Sequence, residues 1–387
     1  MTRVLELSAQ AAGGVRAHIR QVSQLLAKDG HQVLLAGPSN VISPAPGAVS
    51  GACLRTYQID IGARPSGADL KALRQLKQLA ATVEVIHAHG LRAGALAVLA
   101  AKRLPAAKRP RVVVTLHNLP VGSAPTRLVG KALHLVVVKG ADYVLTVSPD
   151  LLEKAKQLGL EAGEIAVVPA PARGCMDCGC MDHVAQPEIS QDSAQSLDAG
   201  SGVDSGSGYG ASSDTGAGAR VLTIARLAPQ KGLDLLLEAA TLIKQRGIDF
   251  TWLVAGDGPL KAQLNQQIAD AALPVKLLGR REDIGALLAQ ADVVVQTSYW
   301  EGQPLTLREA MQAGRAIVAT DVGGSAYTLA GCGQLVEPQA GPLADAVVAV
   351  ISDPKRRETL EAASRAAVAK IPGETQLREQ LDRVLAL

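Results

Sequence analysis

Residues 298–314 read SYWEGQPLTLREAMQAG, and the rest of the chain is arranged around them. Two glutamates, Glu301 and Glu309, stand across a seven-residue gap. Glu301 falls in a Gly/Pro turn, while around Glu309 the residues Leu305, Leu307, Ala310 and Met311 recur at helical spacing. Before the turn, residues 291–296 (ADVVVQ) hold the continuous apolar run Val293, Val294 and Val295, which predicts a short buried strand. Glu301 then lies just past the carboxyl end of a strand, and Glu309 about two helical turns further on. Ligands of open α/β sheets bind in the crevice outside the strand ends, and the free amides at a helix start attract anions. Such a pair also occurs as ordinary helix-start acids, so its meaning depends on context.

The full pattern E-G-x-P-L-x-L-x-E-A-M-x-x-G closely resembles the donor-site signature of retaining, nucleotide-sugar-dependent glycosyltransferases of family 4. The resemblance implies an α/β chain of GT-B architecture, two Rossmann-like parallel-sheet domains facing across a cleft. The expected organisation is an acceptor-side domain over 1–173, a link over 174–219, a nucleotide-sugar domain over 220–372 and a terminal helix over 373–387.

Bulk properties agree with two domains. A chain of 387 residues is too long for one ordinary core, and 48% hydrophobic content is that of a globular protein. Mean hydropathy of +0.16 comes from Ala, Leu and Val spread along the chain, with no run long enough to span a bilayer. No apolar leader follows the N-terminal arginine, so a cytoplasmic protein is expected. The net charge of +3 hides an asymmetry: residues 1–173 carry eleven excess positive charges, residues 174–219 seven excess negative ones, and residues 220–387 one. A basic first half suits an anionic membrane surface, hence a peripheral location on the inner face of the membrane; it is equally the pattern of a solvated basic surface. With aromatics at 2% and no stacking motif, nucleic acid is not an expected partner.

In the first half, RVLEL at 3–7 predicts a strand, SAQAAGGV a glycine loop, and Val15, Ile19, Val22, Leu25 and Leu26 a helix that stops at Gly30. Gly13 and Gly14 let a backbone approach a ligand, and the helix start behind them favours a phosphate. The resemblance places this loop across the cleft from the donor. A strand over 83–88 ends in His87-Ala88-His89, with both imidazoles on one face; no neighbouring residue offers a third metal ligand. The strand over 112–116 runs into His117, which by resemblance lies near the reacting sugar. The segment 127–138 is helix-like, with Arg127, Lys131 and Lys139 along one side, and by resemblance meets a membrane. Ser148-Pro149 begins a helix, Ser as cap and Pro in the first turn. A strand over 165–168 closes the half; Pro169 is then followed by Ala170-Pro171 where family members carry Asn-Gly.

Residues 174–219 are Ser, Gly, Asp and Ala with almost no large apolar side chain, the composition of a chain too poor in buried surface to fold. Cys175, Cys178, Cys180 and His183 could hold zinc, although structural sites place their ligand pairs further apart; a free thiol cluster is the other reading.

The second half opens with a strand over 220–225, then Arg226-Leu227-Ala228-Pro229-Gln230-Lys231-Gly232, similar to the family's G-R-L-x-x-x-K-G with Ala225 in place of glycine. Two cations five residues apart at a strand–helix turn can clamp a pyrophosphate. Strands over 251–255, 275–278 and 316–319 follow, with Gly279-Arg280 where the family places the donor base, and a charged amphipathic helix over 374–387 ends the chain. After Gly323-Gly324, Ser325-Ala326-Tyr327 replaces a glutamate common in the family. By resemblance, Arg226 and Lys231 neutralise the leaving diphosphate. Glu301 contacts the donor sugar and Glu309 the ribose, while amides of Gly302, Gln303, Pro304's neighbours and Leu305 add contacts. The implied reaction moves a hexosyl group from a nucleoside diphosphate sugar to a hydroxyl, with retention and no required cofactor; no D-x-D occurs in the sequence. A sugar-nucleotide epimerase, a glycan phosphorylase and a non-catalytic nucleotide-sugar-binding protein remain as alternatives.

Overall fold

The computed structural model describes residues 1–11, 13–43, 53–62, 67–118, 124–169 and 218–387. The segment 174–217, with its Cys175, Cys178, Cys180 and His183, lies outside them, as does the side chain of Arg127.

Among the described residues the strands form two parallel sheets. The first contains β1 (Arg3–Ser8), β2 (Gln32–Gly37), β3 (Leu54–Gln58), β4 (Val85–His89), β5 (Arg111–Leu116), β6 (Tyr143–Thr146) and β7 (Gly163–Ile165), in the order β3-β2-β1-β4-β5-β6-β7. The second contains β8 (Ala219–Ile224), β9 (Phe250–Ala255), β10 (Val275–Gly279), β11 (Val293–Gln296), β12 (Ala316–Thr320) and β13 (Gln334–Val336), in the order β10-β9-β8-β11-β12-β13. Both are doubly wound, with the order reversing between β1 and β4 and between β8 and β11. Ligand crevices form at such reversals.

Most residues of the central strands are apolar on both faces because helices cover both sides of a parallel sheet. Thus Val112, Val113 and Val114 of β5, and Val293, Val294 and Val295 of β11, are all buried. The β11 run pairs with β8 and β12 through Val293↔Val221 and Val293↔Ala316. Trp252 on β9 is fully buried and donates through Nε1 to Thr223 Oγ1 at 3.0 Å, which satisfies its one polar atom.

The terminal helix Glu374–Leu385 leaves the second sheet and packs on the first. Leu377, Leu381, Val384 and Leu385 share a core with Val4, Val22, Leu25 and Val85. Gln380 ties it down: its Oε1 accepts from Val167 N at 2.6 Å, and its Nε2 donates to Glu164 Oε1 and the Ile165 carbonyl. This bond explains a displaced strand. Residues 165–168 read as β7, but the ladder stops at Ile165, and the Val167 amide turns to Gln380 instead of a neighbouring strand. Ser148 also departs from expectation. It holds the cap position before Pro149–Gln157 with extended backbone, yet its hydroxyl makes no cap bond.

Candidate active site

The carboxyl ends of β1, β4 and β5 face those of β8 and β11 across one cavity of about 950 Å³. That is ample for a nucleotide-sized ligand. One wall carries Arg226, Lys231, Glu301, Gly302, Gln303, Pro304 and Leu305; the other carries Gly13, Gly14, His18, His89 and His117. The cations, the first glutamate, the glycine loop and the histidine singled out in the sequence therefore meet in one place. Glu309 is half-buried on the helix Leu305–Gln312, and Gly279 and Arg280 stand at the end of β10; these three lie outside the cavity walls.

On the second-domain wall, Lys231 Nζ donates to Glu301 Oε1 at 2.6 Å, and Ser298 Oγ donates to the same oxygen at 2.6 Å. Lys231 ends a short 3₁₀ turn, Pro229–Lys231, and Gly232 follows with φ +60, where a Cβ would run into the Thr297 carbonyl. Only glycine lets the lysine turn lie this close to the Glu301 loop. Arg226 is exposed toward the cavity. Two anchors on Oε1 fix the Glu301 carboxylate at the cavity wall.

The loop bearing Glu301 is buttressed from beneath. Gly324 N donates to the Glu301 carbonyl at 2.9 Å, and a Cβ on Gly324 would collide with the Gly302 carbonyl oxygen. The Gly323-Gly324 pair, whose function the sequence left open, thus shapes the Glu301 turn. The same loop is pinned to the first domain: Trp300 Nε1 donates to Asp150 Oδ2 at 2.8 Å, and Gln303 Nε2 donates to the Ala166 carbonyl at 2.7 Å. Across the cleft, Gly14 faces Leu305; a Cβ there would lie 3.5 Å from Leu305 Cδ1.

The first-domain wall holds a buried polar chain that sequence reasoning missed. His87 and His89 do have a third partner, Glu6, brought alongside by the pairing of β1 with β4. Glu6 Oε1 lies 3.0 Å from His87 Nδ1, and Oε2 lies 2.7 Å from His89 Nε2. His87 Nε2 is 2.8 Å from Thr115 Oγ1, and His89 Nδ1 is 3.3 Å from His117 Nε2. The three groups could in principle surround a metal ion, since their ligand atoms lie within 4.8 Å. The hydrogen bonds, however, already occupy each of those atoms. They also assign the protons. With Glu6 ionised, both imidazoles donate to it; His89 Nδ1 is then bare and accepts from His117 Nε2, which leaves His117 Nδ1 as an acceptor. The signal available in the sequence was a lone acid inside an otherwise apolar strand, since a buried charge requires partners.

Burial alone would raise the Glu6 carboxyl, but the pull of His87 and the hydrogen bonds from both imidazoles outweigh it and hold the group at about 2. Burial pushes His18 down to about 3 and His89 to about 4, and it holds His117 well below its ordinary range. Unfolded, these rings take up protons near pH 6.5; folded, they resist until far more acid solution. Their contribution to stability is complete above about pH 6.5 and is lost as pH falls toward about 4, with each ring adding a slope of up to about 1.4 kcal/mol per pH unit. Urea midpoints should therefore be flat above neutrality and fall steeply below it. A midpoint unchanged down to about pH 5 would contradict buried neutral histidines.

Comparison with known proteins gives the site its setting. "Glycosyl transferase 4-like domain" matches residues 13–171, and "Glycosyl transferases group 1" matches residues 218–353. The phosphatidyl-myo-inositol mannosyltransferase of Mycobacterium tuberculosis is 29% identical over 378 residues, covering 92% of this chain and 88% of that protein. The amylovoran biosynthesis glycosyltransferase AmsK of Erwinia amylovora is 38% identical over 115 residues, but the match spans only 28% of its length and 27% of this chain. Among solved structures, Anabaena HepE in complex with UDP and glucose shares the fold with a TM-score of 0.69 at 20% identity, covering all of both chains. The two parallel sheets, their facing strand ends and these matches lead to one conclusion: the chain is a glycosyltransferase of family 4, with the GT-B architecture.

Proposed function

We propose that this protein transfers a hexosyl group from a nucleoside diphosphate sugar to a hydroxyl acceptor, with retention of anomeric configuration. The carrying observation is the convergence of Arg226, Lys231 and Glu301 opposite Gly13, Gly14 and His117 around one cavity. As the glycosidic bond to the diphosphate breaks, negative charge grows on the leaving group. Arg226 and Lys231 neutralise it, and the backbone N–H groups of Gly302, Gln303 and Leu305 add fixed dipoles in a partly desolvated site. These side chains supply the charge that a metal ion supplies in other transferases, so the reading requires no cofactor. Glu301 Oε2 accepts from a hydroxyl of the donor sugar, and the bare Nδ1 of His117 accepts from a second hydroxyl at the reacting end. Glu309 is assigned to the ribose hydroxyls and Gly279-Arg280 to the base. Neither lines the cavity, so both assignments rest on the family resemblance and on donor binding that reaches past β10.

The acceptor is proposed to be a lipid or a cell-envelope glycan precursor. The mannosyltransferase relative is named for such a lipid, and the helix Ala124–Gly140 exposes Leu128 and Leu135 beside Lys131 and Lys139. Leucines with flanking lysines suit an anionic interface. Among the described residues no helix is long and apolar enough to cross a membrane.

A screen of UDP-, GDP- and ADP-sugars, scored by released nucleoside diphosphate, tests the reaction. One base should give release that depends on an added hydroxyl acceptor, and the product should retain the donor's anomeric configuration. Donor binding without release across all acceptors would reject transfer and leave a nucleotide-sugar-binding protein. In parallel, the protein should sediment with anionic but not zwitterionic liposomes, and Leu128→Asp with Leu135→Asp should abolish this.

A further inference from the structure

A second cavity, of about 170 Å³, lies beside the helix Leu305–Gln312, walled by Arg308, Met311, Tyr327, Thr328, Lys370 and Pro372 among others. This is well above the roughly 15 Å³ that one water requires. Arg308 is 2% exposed, yet it is a cation. Its Nη2 donates to Gln303 Oε1, but among the described residues Nε and Nη1 have no hydrogen-bond partner. Burial lowers the guanidinium only to about 10, so it stays charged at neutral pH. The hydroxyl of Thr328, 4% exposed, is likewise without a partner. Lys370, exposed, stands where the cavity meets solvent.

A buried charge without a counter-ion is strongly unfavourable, and proteins retain few such groups. Here three donors from three separate segments converge on one space: the helix Leu305–Gln312, the helix Ser325–Leu329 and the turn Val368–Lys370. A ligand that only accepts hydrogen bonds and carries negative charge satisfies all three. We propose that this cavity is a binding site for a small oxyanion, with Arg308 and Thr328 as its buried contacts and Lys370 at its mouth. The site is distinct from the interdomain cavity, but only one side chain away from it: Arg308 holds Gln303, which lines that cavity and reaches the first domain.

The test is the thermal midpoint of the full chain titrated with inorganic phosphate, against sodium chloride at matched ionic strength, with acetate as a second arm. The wild type should show a saturable rise with phosphate. The rise should persist in Lys231→Ala, which disables the diphosphate clamp in the large cavity. In Thr328→Val and Lys370→Ala the apparent affinity should fall about tenfold, the loss of one charged or strong hydrogen bond. Thr328→Val removes an unsatisfied buried hydroxyl, so its fold is expected to hold without ligand. Saturation by acetate as well as phosphate assigns a carboxylate-tolerant site; saturation by phosphate alone assigns a phosphate site. The proposal fails if no saturable rise occurs, if the rise is equal in every variant, or if it vanishes in Lys231→Ala and survives in Thr328→Val and Lys370→Ala.

Discussion

Lys231→Ala is expected to lower kcat/KM about a thousandfold while leaving the thermal midpoint close to wild type, because one fixed charge aimed at a leaving group is worth about that much. The side chain has two tasks. In the proposed reaction it meets the diphosphate from the cavity wall, and in the structure it holds Glu301 Oε1 at 2.6 Å. Ser298 keeps the second bond to that oxygen, so the loop should survive the loss of the amine. Arg226→Ala should act on the first task alone, since Arg226 is not bound to Glu301, and its loss should therefore be smaller than that of Lys231. Nucleotide release under single-turnover conditions separates the two variants. Near-normal turnover of Lys231→Ala would remove the diphosphate clamp from the mechanism.

Glu6→Leu is expected to destabilise the chain by about 3–5 kcal/mol, the range for removing one member of a buried charged set. Glu6 is wholly buried and accepts from both His87 and His89. Leucine would leave two imidazole N–H groups facing apolar carbon. Glu6→Gln should lose less, since its amide oxygen still accepts from one ring. Its amide nitrogen obliges the other ring to change tautomer, and if that ring is His89, the Nδ1 proton displaces His117 from its acceptor role. The glutamine variant should then lose kcat more than it raises KM. Urea unfolding of both variants, with kinetics of Glu6→Gln, checks this; wild-type stability of Glu6→Leu would show the network to be incidental.

The parts of the site that were legible share one property: each follows directly on an apolar strand. Arg226 follows β8, Glu301 follows β11, His117 follows β5, and Gly13-Gly14 open the helix after β1, so local periodicity and turn residues sufficed to place them. Glu6 was not legible as a site residue, because its meeting with His87 and His89 depends on β1 lying beside β4, 81 positions away in sequence, and His18 meets the rings of His89 and His117 only through the packing of the helix Gly13–Lys28. Arg308 was visible in the sequence, three positions before Met311 on the apolar side of its helix, but the space it faces is made by residues 327–372. The edge strands β3 and β13 went unread for a simpler reason. Their residues are largely exposed or half-buried, so they carry no apolar run. The cap expected from Ser148 failed because identity fixes what a hydroxyl can bond to, not which way it points.

The helix Glu374–Leu385 has a consequence for biosynthesis. The ribosome makes β1 to β7 before the second sheet, yet the core beneath β1, β4 and β5 is closed by Leu377, Leu381, Val384 and Leu385, which are made after that second sheet. The later lobe is contiguous and can mature as it appears. The earlier lobe must wait, partly open, through translation of the whole second sheet, so its core closes only after the later lobe's strands are made.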